Sequence, residues 1–327
     1  MIVDKAAVPV RRVANGIVRV LGLNPSPFTL DGTNTYLLGN GERRVLVDTG
    51  DGEQPGYLDL LKQCLGPRSR IDRILLTHWH ADHIGGVERL LDTPEIATAD
   101  CVVYKHHCAA TDEQKGVAAA LACAQGRLLD IADSQVFDVD GAMHLQAVFT
   151  PGHTKDHMAF VARNNDGRPF ENEAGGVGGQ LVLTGDMVLG RGTTVIQELG
   201  PYMDSLRRLL GLGPTALLPG HGPVITGSDG ARTNAEAVIQ GYLEHRQARE
   251  NQIVETLGTE PPSHPRNGRW WWRLEEITQA VYPDIKDPQL IRAAQNNARL
   301  HLEKLVDDGR VETTVIQDAR VWALIRA

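Results

Sequence analysis

Cysteine is scarce: Cys64, Cys101, Cys108 and Cys123 are the four in 327 residues, and no two form a CxxC pair. This excludes a disulfide framework and fits reduced thiols in an intracellular compartment, cytoplasm or mitochondrial matrix. None of the four stands in an activating motif, so they read as buried or incidental. No apolar run reaches the roughly 18–20 residues that a membrane helix needs, so no membrane span is expected. Excess positive charge is missing too. Lysine and arginine total 33 against 41 acidic residues, a formal charge of −8. The chain as a whole therefore offers no electrostatic footprint for nucleic acid or an anionic membrane, although a local basic groove is compatible. The opening MIVDKAAVPVRRVANG holds an early Asp and no apolar core, unlike a secretory signal. Its Arg11-Arg12 pair is compatible with a mitochondrial address.

What is present is an ordinary globular composition, 42% hydrophobic and 23% charged. That suffices for a sizeable core and excludes collagen and whole-chain disorder. The length suits one large domain plus a small one. Short apolar runs at 17–23, 35–38 and 45–47 read as strands, the last two as a hairpin across GNGER. Residues 57–65 have helical spacing and stop at Gly66-Pro67. Residues 71–76 form a continuous apolar strand, followed by a helix start at 87–91. Between 102 and 149 the reading is a strand at 102–104, a helix at 111–123 and strands at 136–137 and 145–149. Strands at 158–162, 181–184 and 216–218 and a helix at 203–210 follow. The Gly-rich stretch 164–180 reads as a long exposed hairpin loop. Strands alternate with helices throughout, and polar residues end several strands, which predicts a layered α/β domain with one cleft. From about 231 the character changes. A long helix at 234–257, a Pro-rich linker at 259–268, helices at 274–281 and 289–306 and a hairpin at 311–325 outline a small winged-helix-like domain. The expected organisation is residues 1–230 as a catalytic domain and 231–327 as the long helix, linker and winged-helix-like domain.

The densest signal is Thr77-His78-Trp79-His80-Ala81-Asp82-His83, three histidines and an aspartate within six residues, just past a buried strand. In extended backbone, His78 and His80 project to the same side because side chains repeat every second residue. The Asp82-His83 pair then turns back toward a neighbouring point. Imidazole with carboxylate suits zinc, iron or manganese. One metal cannot take all four groups and stay open for chemistry, whereas two metals about 3.5–4 Å apart can share them. Further donors stand in Gly- or Pro-rich turns after other strands: His153 in TPGHT, Asp186 in TGD and His221 in PGHGP.

Together with Val47-Asp48-Thr49-Gly50, these five blocks, in this order, resemble the metallo-β-lactamase superfamily, on the hydrolase branch that includes glyoxalase II. The resemblance covers about 13–228. It implies an αββα sandwich with a dinuclear site on one edge. One metal would be held by His78, His80 and His153 and a second by Asp82, His83 and His221, with Asp186 bridging. Asp48 would support the histidine cluster without being a ligand. Beyond these blocks, GTNTYLLG, GHTKDHMAF, GTTVIQELGPYMDSL and LEHRQARENQI resemble one subfamily, the lactamase-beta-like protein 2 group, over nearly the whole chain. That subfamily implies a winged-helix-like C-terminal domain. Some animal members are described as single-stranded-RNA endoribonucleases of mitochondria. Related fungal members release polyketides from acyl carrier protein as thioesterases. The longer stretch at 105–130 and the Gly-rich loop at 164–180 depart from the subfamily pattern and are read as shapers of the cleft rim.

The chemistry expected of two metals is hydrolysis by a bridging hydroxide, with Asp82 placed to act as base. Two divalent ions are expected, zinc first, with manganese and iron compatible. The expected substrate is single-stranded RNA, with an acyl thioester, free or carrier-protein-bound, as the alternative; no membrane partner is expected, and an oligomer is compatible. A redox enzyme on the same fold fits less well, because such di-iron members usually carry Glu where this chain has His80. A nucleic-acid-binding module with a structural metal site is the remaining reading. Around the donors, His157 reads as a structural histidine or a support for the site. Asn34 reads as an oxyanion donor or a turn former, and Thr154 as a residue that orients metal-bound groups. His106, His107, His144, His245, His264 and His301 have no ligand-type neighbours in sequence and read as structural or solvated. Trp270, Trp271 and Trp272, between Arg269 and Arg273, are either domain packing or a stacking surface for bases.

Overall fold

The computed structural model describes residues 8–114, 116–172, 175–227, 234–262 and 269–325. Seven strands form the first sheet, in the order β1 (Val10–Ala14), β2 (Ile17–Leu21), β3 (Asn34–Leu38), β4 (Arg43–Val47), β5 (Arg70–Leu75), β6 (Ala97–Lys105) and β7 (Leu128–Asp130). β1 to β4 are antiparallel neighbours and β4 to β7 parallel ones. Parallel neighbours need crossovers. Helix α1 (Pro55–Leu65) supplies the first, α2 (Ala81–Ile84) and α3 (Val87–Leu91) the second, and α4 (Ala109–Asp112) and α5 (Val117–Leu121) the third. The single helix expected at 111–123 is therefore broken: Gly116 sits between α4 and α5 at φ +95, a conformation that ends a helix.

The second sheet runs in the order β14-β13-β10-β9-β8. It is built from β8 (Val136–Asp138), β9 (Met143–Phe149), β10 (Met158–Asn164), β13 (Leu181–Gly185) and β14 (Ala216–Pro219). Residue alternation makes the sandwich. Met158, Phe160 and Ala162 of β10 meet Val45, Val47 and Leu75 of the first sheet in the shared core. The other faces are apolar as well. Leu46 and Ile74 pack under α1, whose Tyr57, Leu61 and Leu65 are buried. Ala159, Val161 and Leu217 pack under α6 (Leu199–Gly211). Helices thus cover both outer faces, the expected αββα order.

Helix α7 (Asn234–Leu257) joins two cores. Its Ala235 and Ile239 pack with α6 against the sandwich, and its Ile253 and Leu257 belong to a separate cluster. That cluster gathers β15 (Trp272–Arg273), α8 (Leu274–Val281), α9 (Pro288–Asp307), β16 (Val311–Ile316) and β17 (Ala319–Leu324). Two helices and a three-stranded sheet, β15-β17-β16, make a winged-helix domain. Trp272 pairs with Trp322 and is buried, and Arg269 lies over the Trp271 ring. The expected linker, 259–268, and the 230/231 boundary fall mostly outside the described residues. Among the described residues, no helix is long and apolar enough to cross a membrane.

Strand direction sorts the loops into two ends. β4, β5 and β6 all finish on one rim, and so do β9, β13 and β14, so every histidine motif emerges there. The 164–180 stretch joins the end of β10 to the start of β13 and lies at the opposite end. It forms a hairpin of β11 (Phe170–Asn172) and β12 (Gly175–Gly178), with Phe170 and Val177 buried in the core. The expectation that it shapes the cleft rim is overturned, because antiparallel pairing sends its two ends to the far side.

Candidate metal centre

Both sheets are stitched together at the motif rim. Met158 N–H donates to Thr77 O at 2.8 Å, and Asn34 N–H donates to Gly220 O at 2.7 Å. These bonds bring the donor-bearing loops to one point. Two clusters result. His78, His80, His153 and Asp186 form one, and Asp82, His83 and His221 the other, each with its donor atoms mutually within 4.8 Å. In the first, His78 Nε2 lies 2.9 Å from His80 Nδ1 and 3.3 Å from His153 Nε2, and the last two are 3.1 Å apart. In the second, Asp82 Oδ2 lies 3.2 Å from His83 Nε2 and 3.3 Å from His221 Nε2. Asp186 stands between the clusters. Its Oδ1 is 3.5 Å from His83 Nε2 and 3.4 Å from His221 Nε2, while Oδ2 is 3.6 Å from His153 Nε2 and 4.0 Å from His78 Nε2.

The surroundings fix which ring nitrogen is free. His83 Nδ1 donates to Asp48 Oδ2 at 2.7 Å. Thr77 Oγ1 donates to the same oxygen at 2.9 Å and so accepts from His78 Nδ1, also at 2.9 Å. His153 Nδ1 donates to the carbonyl of Val195 at 2.6 Å. In His78 and His153 the outward nitrogen carries the proton and Nε2 turns a lone pair inward. Lone pairs facing one another at about 3 Å repel unless a cation lies between them. The spacings match the ~3.3 Å edge of a tetrahedron built on ~2.0–2.1 Å zinc–nitrogen bonds. The donors present fit a divalent cation in each cluster.

Electrostatics separates the clusters. Burial, with the neighbouring histidines, holds His78 well below the ordinary imidazole range and pushes His80 down to about 4. Burial also lowers His153. Burial acts the same way on His221, but the Asp186 and Asp82 carboxylates win and raise it to about 9. His83 likewise rises well above its usual value against burial, through Asp82, Asp48 and Asp186. Despite burial, those imidazoles hold Asp82 and Asp186 well below the usual carboxylate range.

Two glycines permit the approach. A Cβ on Gly220 would lie 2.4 Å from Asp186 Oδ1, and one on Gly185, at φ +47, would lie 2.6 Å from His157 Nε2.

The accompanying residues divide. Asp48 accepts hydrogen bonds from His83 Nδ1, Thr77 Oγ1 and Thr77 N–H. His157 is fully buried; its Nδ1 meets Thr150 Oγ1 at 2.9 Å and its Nε2 accepts from the Asp186 N–H at 3.2 Å, so it holds the backbone of Asp186. Asn34 is no oxyanion donor. Its Nδ2 donates to the carbonyls of Pro219 and Gly222, clamping the His221 loop from within β3. Thr154 Oγ1 is buried with no hydrogen bond among the described residues, so it does not orient the donors; its carbonyl accepts from Gly152 N–H. Thr33 went unread in the sequence. Its Oγ1 donates to Asp82 Oδ2 at 2.8 Å, and its only signal was its place beside Asn34 in GTNTY.

Above the donors is a cleft of about 400 Å³, walled by Pro27, Phe28, Leu30, Leu189 and Val195. Phe28 is 80% exposed and Val195 63%. Arg191 is the single lysine or arginine among the lining residues, and it pairs with Asp31 at 3.2 Å.

Comparison with known proteins agrees with the architecture. A family model described as "Metallo-beta-lactamase superfamily" matches residues 28–168, and one described as "Beta-lactamase associated winged helix domain" matches 274–322. The chain is 36% identical over 318 residues to a "Beta-lactamase-like protein 2 homolog" of Drosophila melanogaster, covering 96% of this chain and 95% of that one. It is 34% identical over 319 residues to an "Atrochrysone carboxyl ACP thioesterase" of Aspergillus chevalieri, covering 97% and 89%. A solved "Beta-lactamase domain protein from Burkholderia ambifaria" superposes with a TM-score of 0.69 at 20% identity, covering 99% and 96%, a likeness of fold.

Proposed function

The chain belongs to the metallo-β-lactamase superfamily and is a metal-dependent hydrolase, and we propose that the bond it cleaves is an acyl thioester. The observation that carries this is the cleft wall. An acyl chain is apolar and uncharged, and it meets Phe28, Leu30 and Val195 at the mouth. A polyanion would need a row of cations, and the wall supplies Arg191 alone, already paired with Asp31. The fungal relative named as a carrier-protein thioesterase supports the same reading. Of the three adjacent tryptophans, Trp272 is buried in the winged-helix core and offers no face to a base, while Trp270 and Trp271 are half-buried.

In this reading His78, His80 and His153 would hold one cation and Asp82, His83 and His221 the other, with Asp186 within reach of both sets. Zinc is the expected ion. Divalent cations held there would polarise a carbonyl oxygen and acidify water. The protein's own groups do the rest. Asp82 is held ionised by its imidazole neighbours and oriented by Thr33, and it is the most exposed carboxylate of the set, its side chain 25% exposed. It takes the proton as water adds to the acyl carbon. The carbon–sulfur bond then breaks and the thiolate leaves with that proton. Asp48, Thr77 and the Val195 carbonyl keep the imidazoles in one tautomer, and His157 fixes Asp186.

The test offers purified protein an acyl-N-acetylcysteamine thioester and a labelled single-stranded RNA, with and without chelator and beside His80→Ala. Thioester hydrolysis that vanishes in both controls, with the RNA intact, is the expected outcome. RNA cleavage that vanishes in both controls, with the thioester intact, overturns the reading in favour of an endoribonuclease.

A further inference from the structure

A second cavity of about 660 Å³ lies between the α5 region and β7 and shares no lining residue with the metal cleft. That volume is within the ~300–1,000 Å³ of small-molecule pockets. Its walls are Val117, Ala118, Leu121 and Ala122 of the α5 region and Leu128 and Leu129 of β7. Both β7 leucines are exposed, 39% and 48%, on the edge strand of the sheet. Lys105, His106, His107, Asp112 and Asp130 close one end.

The hydrogen-bonding state of that polar end selects the ligand. Lys105 is buried; its ammonium donates to His106 O at 2.9 Å and to Asp112 Oδ1 at 2.6 Å, and it forms an ion pair with Asp156 Oδ2 at 2.9 Å. Two carboxylates already match its charge, which leaves none over for a carboxylate or phosphate. His107 Nδ1 pairs with Asp112 Oδ2. His106 Nδ1 faces the carbonyl of Ile131 at 2.9 Å and so carries the proton. Nε2 is then the ring nitrogen that faces a ligand. Asp130 Oδ1 receives the His107 N–H at 2.6 Å, and its second oxygen is a further acceptor. The spare capacity here is acceptors, beside carboxylates that repel an anion.

We propose that this cavity binds an apolar, ring-sized molecule bearing a hydroxyl group, with the ring against Val117, Leu121, Leu128 and Leu129 and the hydroxyl donating to His106 Nε2 or Asp130. A fused-ring phenol is the chemical class that meets both demands. The site is independent of the thioester reading, because it uses none of the metal cleft.

The test is calorimetric titration of metal-stripped full-length protein with 2-naphthol and with 2-methoxynaphthalene, which has the same rings and no donor. Stripping the metal removes phenolate binding at the metal centre as a source of signal. Naphthol is expected to bind, and the methyl ether roughly tenfold more weakly, the worth of one hydrogen bond. Ala118→Trp, at an exposed lining position, is expected to abolish binding of both while leaving the melting temperature unchanged. His106→Phe keeps the ring stack on Phe149 and is expected to erase the preference for naphthol. Equal binding of the two probes, or binding that survives a folded Ala118→Trp, overturns the proposal. Should Ala118→Trp fail to fold, Ala122→Trp fills the same cavity from the next turn and is read the same way.

Discussion

Among the described residues, fully buried imidazoles occur in two places, and they behave differently. At the motif rim, His78, His83 and His157 are buried among other imidazoles and carboxylates, and each ring nitrogen that points outward has a partner. On α9, His301 is equally buried, but neither of its ring nitrogens has a hydrogen bond among the described residues. Its charged neighbours are cations: burial first, then Arg246, Arg249 and Lys304, push it down to about 3. The contrast teaches that burial of histidine does not make a site. Convergent lone pairs and outward partners do. His301 fills space in the helical seam; the rim histidines are aimed.

That comparison can be broken or sharpened by four substitutions. The largest effect is expected from His80→Ala, which removes one of three facing donors. Metal analysis should show the first cluster emptied, and thioester hydrolysis should fall by roughly a thousandfold or more, since a metal supplies several kcal/mol of charge stabilisation. Full activity with normal metal content would end the assignment. Next is Asp82→Asn, expected to keep the fold by circular dichroism and to cost about a hundredfold to a thousandfold in kcat through loss of the base and of a donor. Smaller again is Asp48→Asn, which leaves all seven donors in place but frees His83. Competition with a chromogenic chelator should show metal affinity weakened by about tenfold to a hundredfold.

The smallest effect is expected at His301, and its sign follows from linkage. The folded-state value, about 3, is depressed below the ordinary 6.5 of an unfolded histidine. Between those values the unfolded chain binds the proton and the native chain does not, so this group removes stability as pH falls below about 6.5. At about 1.4 kcal/mol per pH unit, the loss is about 2 kcal/mol at pH 5. His301→Leu should therefore raise stability at pH 5 relative to the parent by about that amount, with little change in hydrolysis rate. Paired denaturant titrations at pH 5 and pH 7 read it. An unchanged difference between the two pH values would show that His301 is not buried in its neutral form.

Much of this was legible in the sequence. The period-two spacing of His78 and His80 and the position of His153, Asp186 and His221 after apolar strands are local features, and local features survive translation into a fold. So is the order of strands and helices. What could not be read is where a loop ends up. The 164–180 stretch looks like any exposed hairpin until the pairing of β10 with β13 sends it away from the rim. Asn34 looks like a turn former, and only the proximity of Pro219 and Gly222, far along the chain, makes it a clamp. Thr33 and the Val195 carbonyl act across 49 and 42 residues, and nothing in their own neighbourhood announces it. The helix at 111–123 failed for a local reason, the left-handed Gly116, which composition alone does not reveal.

The stitching of the rim has a consequence for how the chain matures. The first donor cluster needs residues 78 to 186, and the second needs His221 as well, set in place by the Asn34 clamp. During synthesis from the N-terminus, the first cluster can close while the second still lacks its last imidazole. In the proposed two-cation reading, occupancy of the second cluster then reports that translation has passed His221 and that β3 and the end of β14 have met, so metal uptake doubles as a record of completed assembly.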